Sequence, residues 1–356
     1  MSANPEDALE HADAVCVGEA EGVWARILAD TDEGRLQGLY QSTEPVDPAS
    51  ILVPRWEAID STPYLYTNIV VASRGCPFQC EFCYNSSDYI FHQYRFRPVD
   101  KIIEEIKHLD TRHIMFIDDN LIGNIQWAKE LVHALKPLRI KWNAAVTANI
   151  VNHLDLLDEM AESDCQSLFI GLESINPESI NSVHKYQNNR EQYERLIQEI
   201  HQRGMMINAS LVFGLDHDYP EVFQDTLDWL VRNKVETMTA HILTPYPGTA
   251  MYKRYLEEGR ITDRDLRHYN TAHVVFEPRN MSVKELYQGY LWIYKEFYSV
   301  RNILRRIPDH PRQRVPYLLF GFVYRKFGKF LSNRISRMEL MHSLGRWVRK
   351  LSYNLD

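Results

Sequence analysis

The segment Ser73–Ser87 reads SRGCPFQCEFCYNSS and directly follows the apolar run TNIVVA at 67–72. That run has the composition and length of a strand. Cys76, Cys80 and Cys83 stand in the spacing C-x3-C-x2-C. Three thiolates on one tight loop can ligate three irons of a [4Fe–4S] cluster and leave the fourth iron open to a small ligand. Zinc is the competing reading, but structural zinc usually takes a fourth Cys or His arranged in two pairs. His92 is nine residues beyond Cys83, and the x3-x2 spacing is unusual for zinc. The chain has five cysteines, an odd number, and three of them fall in this loop. A disulfide scaffold is therefore a poor reading and a metal site a good one. Cys16 and Cys165 lie in apolar strand-like contexts and are expected in the core. They are too few for a second cluster.

Working outward from the loop, the pattern becomes regular. Apolar strand-like runs at 67–73, 113–117, 141–147, 167–173, 206–215 and 237–244 alternate with helical runs at 100–109, 127–135, 154–163, 191–204 and 222–233. Near-continuous apolar strands separated by helices predict a parallel sheet buried on both faces, joined by right-handed crossovers. Six units are too few for a closed eight-fold barrel, and sites belong at the C-terminal strand ends. Upstream, 14–18 (AVCVG) reads as a short buried strand. A helix follows over 19–34, ending near Gly34, with Trp24, Ile27 and Leu28 at helical spacing. Four prolines between 41 and 63 mark a linker. From about 282 the chain is helical and aromatic, then basic.

The 356 residues are 45% hydrophobic and 25% charged, which excludes wholesale disorder. No apolar stretch reaches spanning length. The first fifteen residues are acidic and lack the apolar core of a secretory signal, so a cytoplasmic chain is expected. The net charge of −8 argues against a nucleic-acid partner. That charge is unevenly spread: residues 1–50 carry eleven acidic side chains against two Arg, whereas 301–356 carry thirteen basic ones against three acidic. A basic tail of this kind is either a solvated helix face or a contact for a partner protein or membrane surface.

The loop, with Phe82 before the third cysteine and Tyr84 after it, resembles the radical S-adenosylmethionine (SAM) superfamily. The resemblance covers about 64–250. It implies an α/β fold, a partial (β/α)6 TIM-like barrel, in agreement with the six units counted from periodicity. It also implies a [4Fe–4S] cluster on Cys76, Cys80 and Cys83, SAM chelated to the open iron, and cleavage of SAM to a 5′-deoxyadenosyl radical. An electron donor such as flavodoxin or ferredoxin is implied as well. The resemblance places SAM contacts on Phe82, Tyr84 and the strand ends. These are Asp118 and Asp119 in FIDDN, Thr147 and Asn149 in AVTAN, Glu173 and Ser174 in FIGLES, and Gly214, where a missing side chain would admit adenine. Helix capping competes for the Asp and Asn positions.

The stretch around Cys16–Leu28 resembles the last strand and helix of the cobalamin-binding Rossmann domain found in one branch of the superfamily. PRWEAID (54–60), FIDDNLIGN (116–124) and KYQNN (185–189) resemble that branch too. The expected division is a Rossmann remnant with linker at 1–50, the barrel at 51–250, and a helical C-terminal extension at 251–356. The lower-ligand pattern D-x-H-x-x-G is absent from the sequence. Glu199-x-His201-x-x-Gly204 and Leu340-x-His342-x-x-Gly345 are its nearest strings. Cobalamin is therefore not expected on this chain. The aromatic run Tyr287–Tyr298 is expected either to close the barrel mouth against water or to pack on the barrel's open side.

The expected function is hydrogen abstraction from an unactivated carbon of a small or lipid-like substrate, leading to rearrangement, oxidation, or C–C bond formation or cleavage. Two alternatives stand beside it. One is a C-methyltransferase using cobalamin from solution or a partner chain, and the other is a non-catalytic iron–sulfur subunit.

Overall fold

The computed structural model describes residues 4–59, 68–87, 90–109, 111–183, 185, 188 and 190–334, with side chains as far as 326. An N-terminal unit contains α1 (Pro5–Leu9), β1 (Val15–Val17), α2 (Trp24–Asp32) and β2 (Leu39–Gln41), with β1 and β2 paired in parallel. Next come β3 (Ile69–Val70), β4 (Ser73–Arg74), β5 (Arg95–Phe96) and α3 (Val99–His108). Regular alternation then sets in: β6 (His113–Phe116), α4 (Ile125–Leu135), β7 (Lys141–Val146), α5 (Leu154–Glu162), β8 (Cys165–Glu173), α6 (Pro177–Ser182), α7 (Tyr193–Gln202), β9 (Met206–Phe213), α8 (Val222–Arg232) and β10 (Thr237–Ile242). The C-terminal region adds α9 (Ala250–Glu257), α10 (Val283–Phe297), α11 (Val300–Arg305) and α12 (Pro311–Arg334).

The main sheet has the order β10-β9-β8-β7-β6-β3, with every neighbouring pair parallel. This is the expected six-stranded open barrel. The helices form where apolar residues recur three or four apart. Tyr193, Leu196, Ile197 and Ile200 of α7 and Leu156, Leu157 and Met160 of α5 are all buried. Asn124 starts α4 by accepting the Trp127 amide at 3.0 Å.

Both faces of the sheet were expected to be apolar and buried; this holds for the second half of β9, whereas on β6 and β7 only the helix-covered face is buried. Along β6 and β7, Ile114, Phe116, Trp142, Ala144 and Val146 are buried there. The opposite face carries polar side chains that satisfy one another. Asn143 lies 2.7 Å from the His113 ring, and the Ser167 hydroxyl donates to Asn143 at 2.7 Å. Six strands do not close the barrel, so its inner face stays partly open and can hold polar groups. Similarly, α2 forms where expected, but its Trp24 and Leu28 are exposed while Val23 is buried.

Helix α10 follows the second of the two expectations for the aromatic run, packing on the barrel's open side. It runs along the edge strand β10. The Tyr294 hydroxyl donates to the Ala240 carbonyl at 3.0 Å and accepts from the Ala240 amide at 2.9 Å, and Tyr298 donates to Met238. A free sheet edge invites unwanted pairing, and these tyrosines occupy part of it. At its first turn, Leu286 of α10 packs against Gly214 just beyond β9.

Candidate functional site

The cysteine loop begins where β3 ends. The buried Asp118 carboxylate, just beyond β6, accepts the Ala72 amide at 3.1 Å, the Ser73 amide and the Ser73 hydroxyl. Burial pushes this carboxyl up to about 6. The chain then turns at Gly75, whose φ is +79°. A Cβ there would lie 2.6 Å from the Gln93 carbonyl oxygen, so only glycine fits.

Cys80 is buried, and Cys76 and Cys83 are half-buried. Burial raises the Cys76 thiol and pushes Cys83 up to about 12. The neighbouring Cys80 raises both further, while Lys185 lowers both. Among the described residues no three His, Cys, Asp or Glu side chains converge on one point as a single metal ion requires. The donor set fits a [4Fe–4S] cluster, whose binding would displace the thiol protons.

Four outside contacts hold the loop. Arg254 on α9 grips Glu81 with Nε–Oε1 at 2.8 Å and Nη2–Oε2 at 3.2 Å. The Glu81 amide donates to the Val183 carbonyl at 3.2 Å, and the Met251 amide donates to the Glu81 carbonyl at 3.3 Å. Arg74, two residues before Cys76, pairs with Glu19 at 3.3 Å and with Glu21 of the N-terminal unit. Glu19 also pairs with Arg95 at 2.6 Å. A cavity of about 320 Å³ opens beside the loop, lined by Gly18, Glu19, Tyr84, Phe91 and Asp119 among others.

The other expected site residues fall into three groups. Tyr84, half-exposed, donates to Asp119 at the cavity wall. Thr147 donates to Asn149 at 2.6 Å and approaches buried Asn120, whose amide nitrogen has no partner among the described residues. That nitrogen is free for a ligand. Glu173 ends β8 in a left-handed conformation, φ +64°, at a register shift against β9, and forms a buried ion pair with Lys185. Phe82 packs against the core with the Lys185 ammonium 6.0 Å from its ring centre.

Three expectations change. Asp118 stands in the cavity wall beside Asp119, but its carboxylate is engaged by protein donors at the start of the cysteine loop. Ser174 accepts the Asn176 amide at 3.1 Å and shapes the turn into α6. At Gly214, φ +96°, the Cβ position is taken by Leu286 at 2.7 Å and Phe276 at 3.2 Å. Close packing of the C-terminal region, rather than approach to adenine, accounts for that glycine.

The string Glu199–Gly204 serves packing. His201 pairs with Glu236 at 3.1 Å, and the Cβ position of Gly204 faces His310. These residues do not form a cobalamin lower-ligand loop. Leu340–Gly345 and, within 185–189, Tyr186, Gln187 and Asn189 lie outside the described residues.

Lys185, Glu81, Arg254 and Ser73 went unnoticed in the sequence as site residues. Lys185 stands in the KYQNN stretch, which was noted only for its resemblance, and the others carry no local signal.

The model of the radical SAM superfamily matches residues 70–230. Residues 70–230 are a radical SAM domain. Such a domain implies a [4Fe–4S] cluster and SAM. A domain of unknown function, DUF4070, matches 249–318. The chain is 27% identical over 342 residues to bacteriochlorophyllide d C-12(1)-methyltransferase of Chlorobaculum tepidum, covering 93% of this chain and 72% of that protein. It is 28% identical over 336 residues to the C-8(2)-methyltransferase of the same organism, covering 88% and 74%. The solved structure of TsrM, a radical SAM methyltransferase from Kitasatospora setae with cobalamin and a [4Fe–4S] cluster bound, aligns with a TM-score of 0.65. That alignment is 16% identical and covers 98% of this chain and 81% of that one. This last likeness is one of fold.

Proposed function

We propose that this radical SAM enzyme abstracts hydrogen from an unactivated carbon of an apolar, ring-containing small molecule of tetrapyrrole or polycyclic-lipid type. One observation carries the reading: the loop bearing Cys76, Cys80 and Cys83 follows the first strand of a six-stranded parallel sheet and is held there by Arg254, Val183 and Met251 at Glu81 and by Glu19 and Glu21 at Arg74. Cys76, Cys80 and Cys83 hold the cluster. Asp119 and Tyr84, which line the cavity, and Asn120, whose buried amide nitrogen has no partner among the described residues, are the SAM contacts of this reading, with Thr147 and Asn149 grouped beside Asn120. When bound, the cluster supplies one electron that cleaves SAM to methionine and the 5′-deoxyadenosyl radical. The protein's part is to fix the loop, orient SAM and keep water out.

A second reading is C-methylation with cobalamin brought by a partner chain or taken from solution. The names of the two Chlorobaculum relatives favour it, whereas the described residues offer no lower-ligand loop.

Anaerobic reconstitution tests the first reading. About four irons per chain and 5′-deoxyadenosine on reduction are expected, and both should vanish in Cys80→Ala. Absence of 5′-deoxyadenosine in the loaded wild type overturns it. Adding methylcobalamin separates the two readings, since S-adenosylhomocysteine forms only in methyl transfer.

No helix among the described residues is long and apolar enough to cross a membrane. Helix α12 nevertheless exposes Val315, Leu319, Phe322 and Val323 at spacings of four, three and one. An apolar stripe beside a basic tail supports contact with an anionic membrane surface. Flotation with anionic vesicles should fall in the double variant Leu319→Asp/Phe322→Asp. Equal flotation of both proteins removes the idea.

A further inference from the structure

Lys185 and Glu173 are both buried, 6% and 7% exposed, and pair with each other. Their pairing is not explained by stability, because a buried ion pair is usually no better than an apolar one of the same shape. The backbone is also strained to make it. Glu173 occupies the left-handed region without being glycine, at the point where β8 loses register with β9. The pair lies across Gly171, where a Cβ would meet Glu173 Oε1 at 2.5 Å and Lys185 Nζ at 2.8 Å. Strained, desolvated charges of this kind mark functional sites more often than structural ones.

The pair is oriented. Its ammonium end faces the cysteine loop, 6.0 Å from the centre of the Phe82 ring, which stands between Cys80 and Cys83. The loop is pinned to the same segment by the bond from the Glu81 amide to Val183, two residues before Lys185. Lys185 acts on Cys76 and Cys83, and Cys80 and Cys83 act back on it. Glu173 itself stands at the end of β8, an inner strand of the sheet between β7 and β9.

We propose that Lys185 sets the reduction potential of the cluster on Cys76, Cys80 and Cys83, and that Glu173 opposes it. The proposal rests on the cluster assignment made above. Reduction adds one negative charge to the cluster, and a fixed cation in a desolvated site stabilises the reduced form, raising the potential. Salt screens such a buried charge poorly. Glu173 keeps the ammonium charged and offsets part of its field. Together they place the potential where SAM cleavage and the electron donor can both be matched.

The test is a dye-mediated redox titration of the reconstituted full chain without SAM, read by the electron paramagnetic resonance signal of the reduced cluster. Lys185→Met should shift the midpoint to more negative values, Glu173→Gln to more positive values, and Lys185→Arg should stay near wild type. Midpoints equal to wild type in all three overturn the proposal. A loss of SAM affinity at unchanged midpoint overturns it too, since it would make Lys185 a SAM contact instead. If Lys185→Met fails to load iron, Glu173→Gln decides alone, and an unshifted midpoint sinks the idea. A wild-type chain that loads no cluster overturns both this proposal and the functional reading beneath it. Normal loading and SAM cleavage with unmoved midpoints overturn this proposal alone.

Discussion

Two strand ends are fastened in the same way. At the exit of β3, buried Asp118 accepts the consecutive amides of Ala72 and Ser73 and the Ser73 hydroxyl. At the exit of β9, buried Asp218 accepts the consecutive amides of Gly214 and Leu215, each at 3.0 Å, and the Ser179 hydroxyl at 2.7 Å. Burial pushes both carboxyls up to about 6. The difference lies in chain distance. Asp218 takes its amides from three and four residues upstream, so it closes a local turn. Asp118 reaches 45 and 46 residues back, from the neighbouring strand's end. Asp218 thus closes a local turn with its backbone bonds and reaches a distant residue only through the Ser179 hydroxyl, 39 positions away, whereas Asp118 holds two distant backbone amides, and that tie leads into the cysteines.

Alanine at the two positions should separate these roles most clearly. Each change strands three buried donors at about 1–3 kcal/mol apiece, so each should lower unfolding stability by roughly 3–9 kcal/mol. Asp118→Ala should also lose most of its iron, while Asp218→Ala, refolded under the same conditions, should keep about four per chain. Equal iron in the two variants would erase the distinction between tie and turn.

Next in size is a pH effect common to both. A folded carboxyl near 6, above its unfolded value of about 3.9, binds more protons in the native state. Its stabilisation is complete below the unfolded value and is lost as pH rises through the folded one. Each group should therefore remove up to about 3 kcal/mol of stability between pH 4 and 6. Chemical denaturation across that range should show a flatter profile in Asp118→Asn and in Asp218→Asn than in wild type. A profile unchanged by both substitutions contradicts the shared construction.

Ser73→Ala and Ser179→Ala should each cost about 1 kcal/mol, since an acceptor keeps its other donors. Only Ser73→Ala should broaden the spectrum of the reduced cluster, and a matching change in Ser179→Ala would count against the comparison. The smallest effect is expected far from both ties. Tyr294→Phe removes the hydroxyl that bonds both backbone groups of Ala240 at the sheet edge. A loss of about 1–2 kcal/mol with unchanged iron content is expected from thermal unfolding and iron analysis.

The six-strand alternation was legible because it depends on local periodicity. The runs at 113–117, 141–147, 167–173, 206–215 and 237–244 became β6 to β10 with ends displaced by a few residues at most. The run at 67–73 was less faithful. Among its described residues only Ile69–Val70 joins the main sheet, and Ser73–Arg74 pairs instead with Arg95–Phe96. The tie to Asp118 redirects the chain there, and no property of residues 67–73 announces it. Helix α2 was legible as a helix, yet its exposed Trp24 and Leu28 show that period alone does not say which face is covered.

By itself, then, the sequence determined the alternation of strands and helices, the thiolate loop after the first barrel strand, and the radical SAM domain. Each is written in contiguous residues, as a period of two or 3.6 or a fixed cysteine spacing. Tertiary structure alone decided that Asp118 ties down the loop and that Leu286 fills the space at Gly214. It alone decided that α10 lines an edge rather than the mouth, and that Lys185 meets Glu173 beside the cysteines. Those outcomes depend on residues brought together across tens of positions, where burial and pairing, not local propensity, set the energy.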